Sequence, residues 1–342
     1  MGQPDFRFAG VLGAVMVIAM MTVSAGWDLP VRDPDGVVVP TYVRLPLIVL
    51  AALALDVVPR AIARRESVVT ITRERWDRTQ WAFALGGVVT WYATYAAFRN
   101  LKSYVPFVND RLWDNELASL DRWLWLGNDP AEVLHQWLGT SWTAELLSLV
   151  YVAWIVLVPT TLGVALVWTR HRAAGSWFVT AVAVDWALGV ATYFAMPSLG
   201  PVYSAPREFT DIDHTMVTSL QESMMGDRVE VLADPFATGA VQTIAAFASL
   251  HVAIMVTMVL IAQLVRLPRW ILVSSHVFLV LTVISTVYLG WHFFVDAIAG
   301  AALGAAGVWI AALATGNVEA GRPRLRQEVP RPRQRTDRTF SA

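Results

Sequence analysis

Long apolar runs alternate with polar connections along the chain. Eight of the runs, 8–26, 42–58, 81–98, 144–168, 177–196, 251–265, 270–288 and 293–313, approach or reach the roughly 20 residues of helix that a hydrocarbon core about 30 Å thick requires. A backbone surrounded by lipid must satisfy its N–H and C=O groups internally, so such runs predict helices. The expected fold is an all-α, polytopic membrane helix bundle of about eight transmembrane helices. Residues 81–313 are expected to form a six-helix core, and 1–80 an accessory transmembrane hairpin with a basic loop. The Arg-rich segment 314–342 reads as a disordered tail, too polar to bury a core. The second and sixth runs are short and are expected to tilt little or to begin inside protein. The first run exceeds the 7–15 apolar residues usual in a signal peptide, so it reads as a retained anchor.

Composition agrees with this pattern. Hydrophobic residues make up 56% of the 342 and charged residues only 15%, whereas soluble domains carry about 45–50% and about 25%. That excludes a soluble protein. Without cysteine, disulfides, thiolate nucleophiles and thiolate metal sites are also excluded.

The formal charge of −1 conceals a separation. If both termini are cytoplasmic, the inner segments hold 18 of the 26 basic residues and the outer side 8, leaving about +11 inside and −8 outside. This is the bias that orients membrane helices, and every connection agrees with it. Lys102 is the only lysine.

Two outer connections, about 99–143 and 197–250, are long enough to suggest a functional cover. Trp113, Trp123, Trp125, Trp137 and Trp142 in the first fit an interfacial aromatic belt. Residues 216–225 in the second fit an amphipathic helix on the interface.

The same topology, assigned from basic residues alone, places His251, His292 and Asp296 at the outer ends of the sixth and eighth runs. His292 and Asp296 are four residues apart and share a helical face, so the carboxylate can hold an imidazole N–H and fix the tautomer that a basic or nucleophilic histidine needs. Ser249 is placed to cap the sixth helix, whose free N–H groups suit a phosphate oxygen. Asp56, Glu145 and Asp185, within or at the ends of runs, motivate a second reading as a non-catalytic carrier or scaffold. Gly300 and Gly304 read as close helix packing. His135, His171 and His214 read as loop histidines, and His276 as remote from the outer site.

These residues resemble the type 2 phosphatidic acid phosphatase superfamily, most closely its inositolphosphotransferase branch, which includes the inositol phosphorylceramide synthases. Ser249-Leu-His251 resembles that branch's form of the Pro-Ser-Gly-His motif. The stretch from Ser285 to Asp296 has the spacing of the motif Ser-Arg, five residues, His, three residues, Asp, and 196–203 resembles its Pro-x-x-Gly-Pro-x-Tyr segment. The resemblance implies that His292 attacks phosphorus to form a phosphohistidine, that Asp296 orients it and that His251 protonates the leaving oxygen. It implies no metal or other cofactor. The implied partners are a lipid phosphate or phosphodiester donor, a water or alcohol acceptor and membrane lipids, with no nucleic acid. Thr286 stands where the motif has Arg, Leu250 where it has Gly, and the Lys, six residues, Arg-Pro motif is absent in that form. The likeliest stand-ins for phosphate contact are Lys102 and Arg99, with Arg207 and the Ser249 cap. Fewer cations favour a phosphodiester-type donor.

Overall fold

A computed structural model describes residues 6–34, 39–169 and 171–326. Their helices are, in order, α1 (Arg7–Trp27), α2 (Thr41–Arg64), α3 (Val68–Arg75), α4 (Arg78–Val108), α5 (Asp114–Leu124), α6 (Pro130–Leu138), α7 (Trp142–Gly163, continued by a π turn over Val164–Trp168), α8 (Arg172–Ala195), α9 (Pro201–Ser204), α10 (Met216–Ala233), α11 (Leu250–Leu264), α12 (Arg269–Tyr288) and α13 (Phe294–Thr315). All eight apolar runs are helical, and the chain is an all-α bundle. By length and composition, α1, α2, α7 with its π turn, α8, α12 and α13 can cross a membrane. The other two runs deviate in opposite ways. Helix α4 has 31 residues and continues through Lys102 to Val108, whereas α11 has only 15, about 22 Å at 1.5 Å per residue. Most of α11 is buried, so it is enclosed by protein rather than spanning alone.

The first two helices pack onto the later ones. Phe6 and, from the first run, Met16 and Met20 share a continuous core with Trp91, Trp177, Trp186 and Val308. The fully buried Trp177 donates its indole N–H to the Val308 carbonyl at 3.0 Å. Arg32, between α1 and α2, donates to the carbonyls of Pro235 and Ala240, each at 2.5 Å.

The tail expectation is corrected at its start. Helix α13 runs to Thr315, and Val318–Glu319 pairs antiparallel with Arg322–Pro323. The backbone N–H of Arg324 and the carbonyl of Asn317 hold this turn at 2.8 Å, so local pairing makes up for the missing apolar core. Residues 327–342 of the predicted tail lie outside the described residues.

Close contact between α11 and α13 is what places the site. A Cβ at Gly300 would lie 2.2 Å from the Ser249 carbonyl oxygen, and one at Gly304 2.2 Å from that of Ala253. Only glycine allows the backbones to approach this far, as the Gly-x-x-x-Gly spacing predicts. Thr257 reaches across to the Gly304 carbonyl at 3.2 Å and to Asp185 Oδ2 at 2.7 Å. Asp185 is thus held by a threonine.

Candidate active site

The starts of α11 and α13 lie side by side: His251 is in the first turn of α11, and His292 lies two residues before α13, on the turn that leads into it rather than on the helix itself. Ser249 is completely buried and its hydroxyl accepts from the Val252 N–H at 3.4 Å, capping α11 as expected. Its own N–H donates to the Asp296 carbonyl at 3.0 Å, which ties the two starts together. The result is closer than spacing alone implied. His292 Nδ1 is 3.3 Å from Asp296 Oδ2, and His292 Nε2 is 2.9 Å from His251 Nδ1. With Asp296 ionised, its oxygen accepts the Nδ1 proton, His292 Nε2 keeps its lone pair, and His251 Nδ1 is the donor between the rings. His292 and Asp296 are 3% and 0% exposed, so solvent does not compete for these contacts. Asp296 Oδ2 also accepts from the Phe293 N–H at 3.0 Å.

Aromatic rings enclose His251. Tyr151 and Trp154 of α7 have ring centroids 5.1 and 4.3 Å from the imidazole, and Trp154 donates to the His251 carbonyl at 3.2 Å. Tyr151 stacks in turn on Trp291, with centroids 4.9 Å apart and planes 7° apart. Apolar motif positions carry no mark of such a role in sequence. The contacts join segments about 100 to 140 residues apart.

The cation candidates separate. Lys102 lies on the last turns of α4 with its ammonium 4.8 Å from the Tyr193 ring centroid. It is near enough to His251 and His292 for its charge to bear on both. Arg99, one turn earlier, bears on Lys102 and Tyr151 and donates to the Pro34 carbonyl at 3.3 Å. Arg207 is exposed on the 3₁₀ turn Pro206–Phe209. Among the described residues its guanidinium makes no hydrogen bond or ion pair, so it is the weakest of the set. Thr286 uses its hydroxyl within its own helix, on the Val283 carbonyl, while its carbonyl receives the N–H groups of Trp291 and His292 at 2.9 and 3.2 Å. Where the motif has a cation, this chain has a brace for the turn that carries His292.

The segment 196–203 touches both histidine-bearing strands of chain. Ser198 accepts from Ala246 through its carbonyl at 3.0 Å and from Phe247 through its hydroxyl at 2.9 Å, while Val202 donates to the Gly290 carbonyl at 2.9 Å. Gly200 has φ +98°, and a Cβ there would lie 2.5 Å from the Trp291 carbonyl. Both the conformation and the close approach require glycine.

Two acidic residues of α5, given no role by sequence reading, support the same region. Asp114 Oδ1 accepts from Leu199 and Gly200, each at 2.9 Å. Asp121 accepts from Phe294 through Oδ2 at 2.6 Å and from Val295 through Oδ1 at 2.8 Å. Burial pushes both carboxyls up, Asp121 to about 7, against the pull of these N–H groups. Their positions, seven apart on one face of a Trp-rich helix, are the only signal that could have found them.

The remaining histidines fall elsewhere. His276 bonds Gln263 and the Leu272 carbonyl, and His214 lies 3.8 Å from Glu222. His135 corrects the loop expectation: it is on α6, and its Nε2 is 2.8 Å from the Tyr288 carbonyl. Asp56 is engaged by Arg60 and by Arg75, the latter at 2.6 Å. Two of the three acidic residues behind the carrier reading, Asp56 and Asp185, therefore have local structural partners, and Glu145 is exposed.

A family model described as the PAP2 superfamily matches residues 115–310. That span contains both histidines, Asp296, Ser249 and Asp121, but leaves out Arg99, Lys102 and Asp114. No curated protein and no solved structure matches the chain.

Proposed function

Because the chain belongs to the PAP2 superfamily, we propose that it is an integral membrane enzyme that transfers or hydrolyses the phosphoryl group of a lipid-linked phosphate, working through a phosphohistidine at the extracytoplasmic face. The observation that carries this reading is the unbroken chain Asp296, His292, His251, with contacts of 3.3 and 2.9 Å. A carboxylate on Nδ1 makes Nε2 the nucleophilic nitrogen and stabilises the charge that the ring acquires. Entry of a phosphoryl group between the rings replaces their direct contact. His292 Nε2 then forms a bond to phosphorus as the ester P–O bond breaks, and the leaving oxygen takes a proton from His251. In the second half, His251 removes a proton from water or an alcohol as that oxygen attacks phosphorus, and the P–N bond breaks. Lys102, Arg99 and the Ser249-capped start of α11 counter the charge that develops on the phosphoryl oxygens.

The donor is a lipid phosphate or phosphodiester, and transfer to an alcohol such as inositol is the version that the low cation count favours. The charge asymmetry supports cytoplasmic termini and an outer site. Exposed Trp123, Trp137 and Trp142, each more than 70% accessible, suit an interface from which a lipid can enter. The test is trapping by alkaline denaturing quench with a phosphate-labelled lipid panel, each run with and without inositol. Label should be recovered on His292, and His292→Ala should abolish both label and turnover. Full turnover by that variant would remove His292 as the nucleophile. New phosphodiester in the alcohol-supplemented runs identifies a transferase, and free phosphate alone a phosphatase.

A further inference from the structure

Helix α13 begins two residues after His292, and the first N–H groups of a helix have no partner within it. Phe293, which precedes the helix, has no side-chain acceptor. Two carboxylates divide the three leading donors instead: Asp296 takes Phe293 at 3.0 Å, and Asp121 takes Phe294 and Val295 at 2.6 and 2.8 Å. Asp121 comes from a separate helix and lies 173 and 174 residues before the two donors, is 2% exposed, and is flanked by Trp125, whose ring meets Phe294 edge-on at 5.3 Å. Its task is not shared by chance. Asp296 Oδ2 already serves both the Phe293 N–H and His292 Nδ1. Asp296 Oδ1 is buried and has no hydrogen-bond partner among the described residues, so two further unsatisfied N–H groups at the same helix start would turn the carboxylate toward themselves and draw Oδ2 from the imidazole.

We propose that Asp121 is a positioning residue for the phosphoryl-transfer site: by holding the Phe294 and Val295 N–H groups it reserves Asp296 for His292. Asp114, two turns earlier on the same buried face of α5, performs the matching task on Leu199 and Gly200, so α5 braces the site from outside the bundle. The proposal rests on the function proposed above only for its kinetic consequence.

The test uses the full chain in lipid nanodiscs, comparing wild type with Asp121→Ala and Asp121→Asn. A displacement of about 1 Å at a reacting group costs up to about 100-fold in rate. Asp121→Ala should lower kcat by about 10- to 100-fold with KM for the lipid phosphate within about threefold. Asp121→Asn, which keeps one acceptor oxygen, should fall between. Ring-nitrogen NMR of ¹⁵N-histidine protein should show a changed His292 tautomer population in both variants. Unchanged kcat with unshifted ring nitrogens would overturn the proposal. So would a rise in KM alone, or an activity loss that tracks only a lowered Tm. If wild type turns over no lipid phosphate, the functional reading fails, while the NMR comparison still decides the role of Asp121.

Discussion

A methyl group added at Gly300 probes how the two histidines are brought together. The new Cβ would lie 2.2 Å from the Ser249 carbonyl oxygen and 3.1 Å from its carbon, whereas ordinary contact begins at 3.4 Å. Both atoms are backbone and cannot rotate away, so α11 and α13 must separate by about 1.2 Å at this level. Ser249 is two residues from His251, and its N–H bonds the Asp296 carbonyl at 3.0 Å; the displacement therefore passes into the 2.9 Å contact between the rings. Overpacking of this kind costs about 1–3 kcal/mol, and a misplacement near 1 Å costs up to about 100-fold in rate. Gly300→Ala should thus lower both Tm and the kcat for lipid-phosphate turnover, with kcat reduced by at least about tenfold in the protein that remains folded. Gly226→Ala in α10 is the control, since a Cβ there meets nothing within 4 Å. Initial rates and thermal unfolding on the purified pair are sufficient. If Gly300→Ala matches Gly226→Ala in both, close backbone approach is not what aligns the site.

Further expectations concern charge. Lys102→Met should lower kcat/KM by about 10- to 100-fold, the range of a lost charge-assisted hydrogen bond, while Arg207→Met stays within about threefold; equal effects would reverse the ranking of the two cations. Asp56→Ala leaves Arg60 and Arg75 around a site that is 7% exposed. Breaking a buried pair costs about 3–5 kcal/mol, and with both arginines about 40% exposed a loss of about 1–3 kcal/mol is expected. Because this cluster lies at the end of α2 away from the histidines, kcat should hold, and a large fall in kcat would show coupling between the ends. Burial pushes Asp121 up to about 7 in the folded protein, from the 3.8 of an ordinary carboxyl. The folded state therefore binds the extra proton between those values, and the stability Asp121 contributes is full below about pH 4 and lost as pH rises to 7. The Tm of wild type should fall over that window more steeply than that of Asp121→Asn, and parallel curves would refute the assignment.

Helix positions were legible in the sequence because they depend on local properties. An apolar run of membrane length forces helix wherever it occurs, and eight such runs are eight helices here. The four-residue interval that joins His292 to Asp296, the Ser249 cap and the glycines at 300 and 304 are also short-range, and each has the contact its spacing predicts. The tertiary structure decided what crosses between segments. It set the direct bond between His251 and His292, the aromatic wall of Tyr151, Trp154 and Trp291, the separation of Lys102 from exposed Arg207, and the service of Asp114 and Asp121 to backbone N–H groups far along the chain. An acidic residue in a polar, Trp-rich connection looks the same in sequence whether it faces water or holds the first turn of another helix. The partner of such a residue is a backbone amide, which every residue except proline possesses, so no pattern of side chains can announce it.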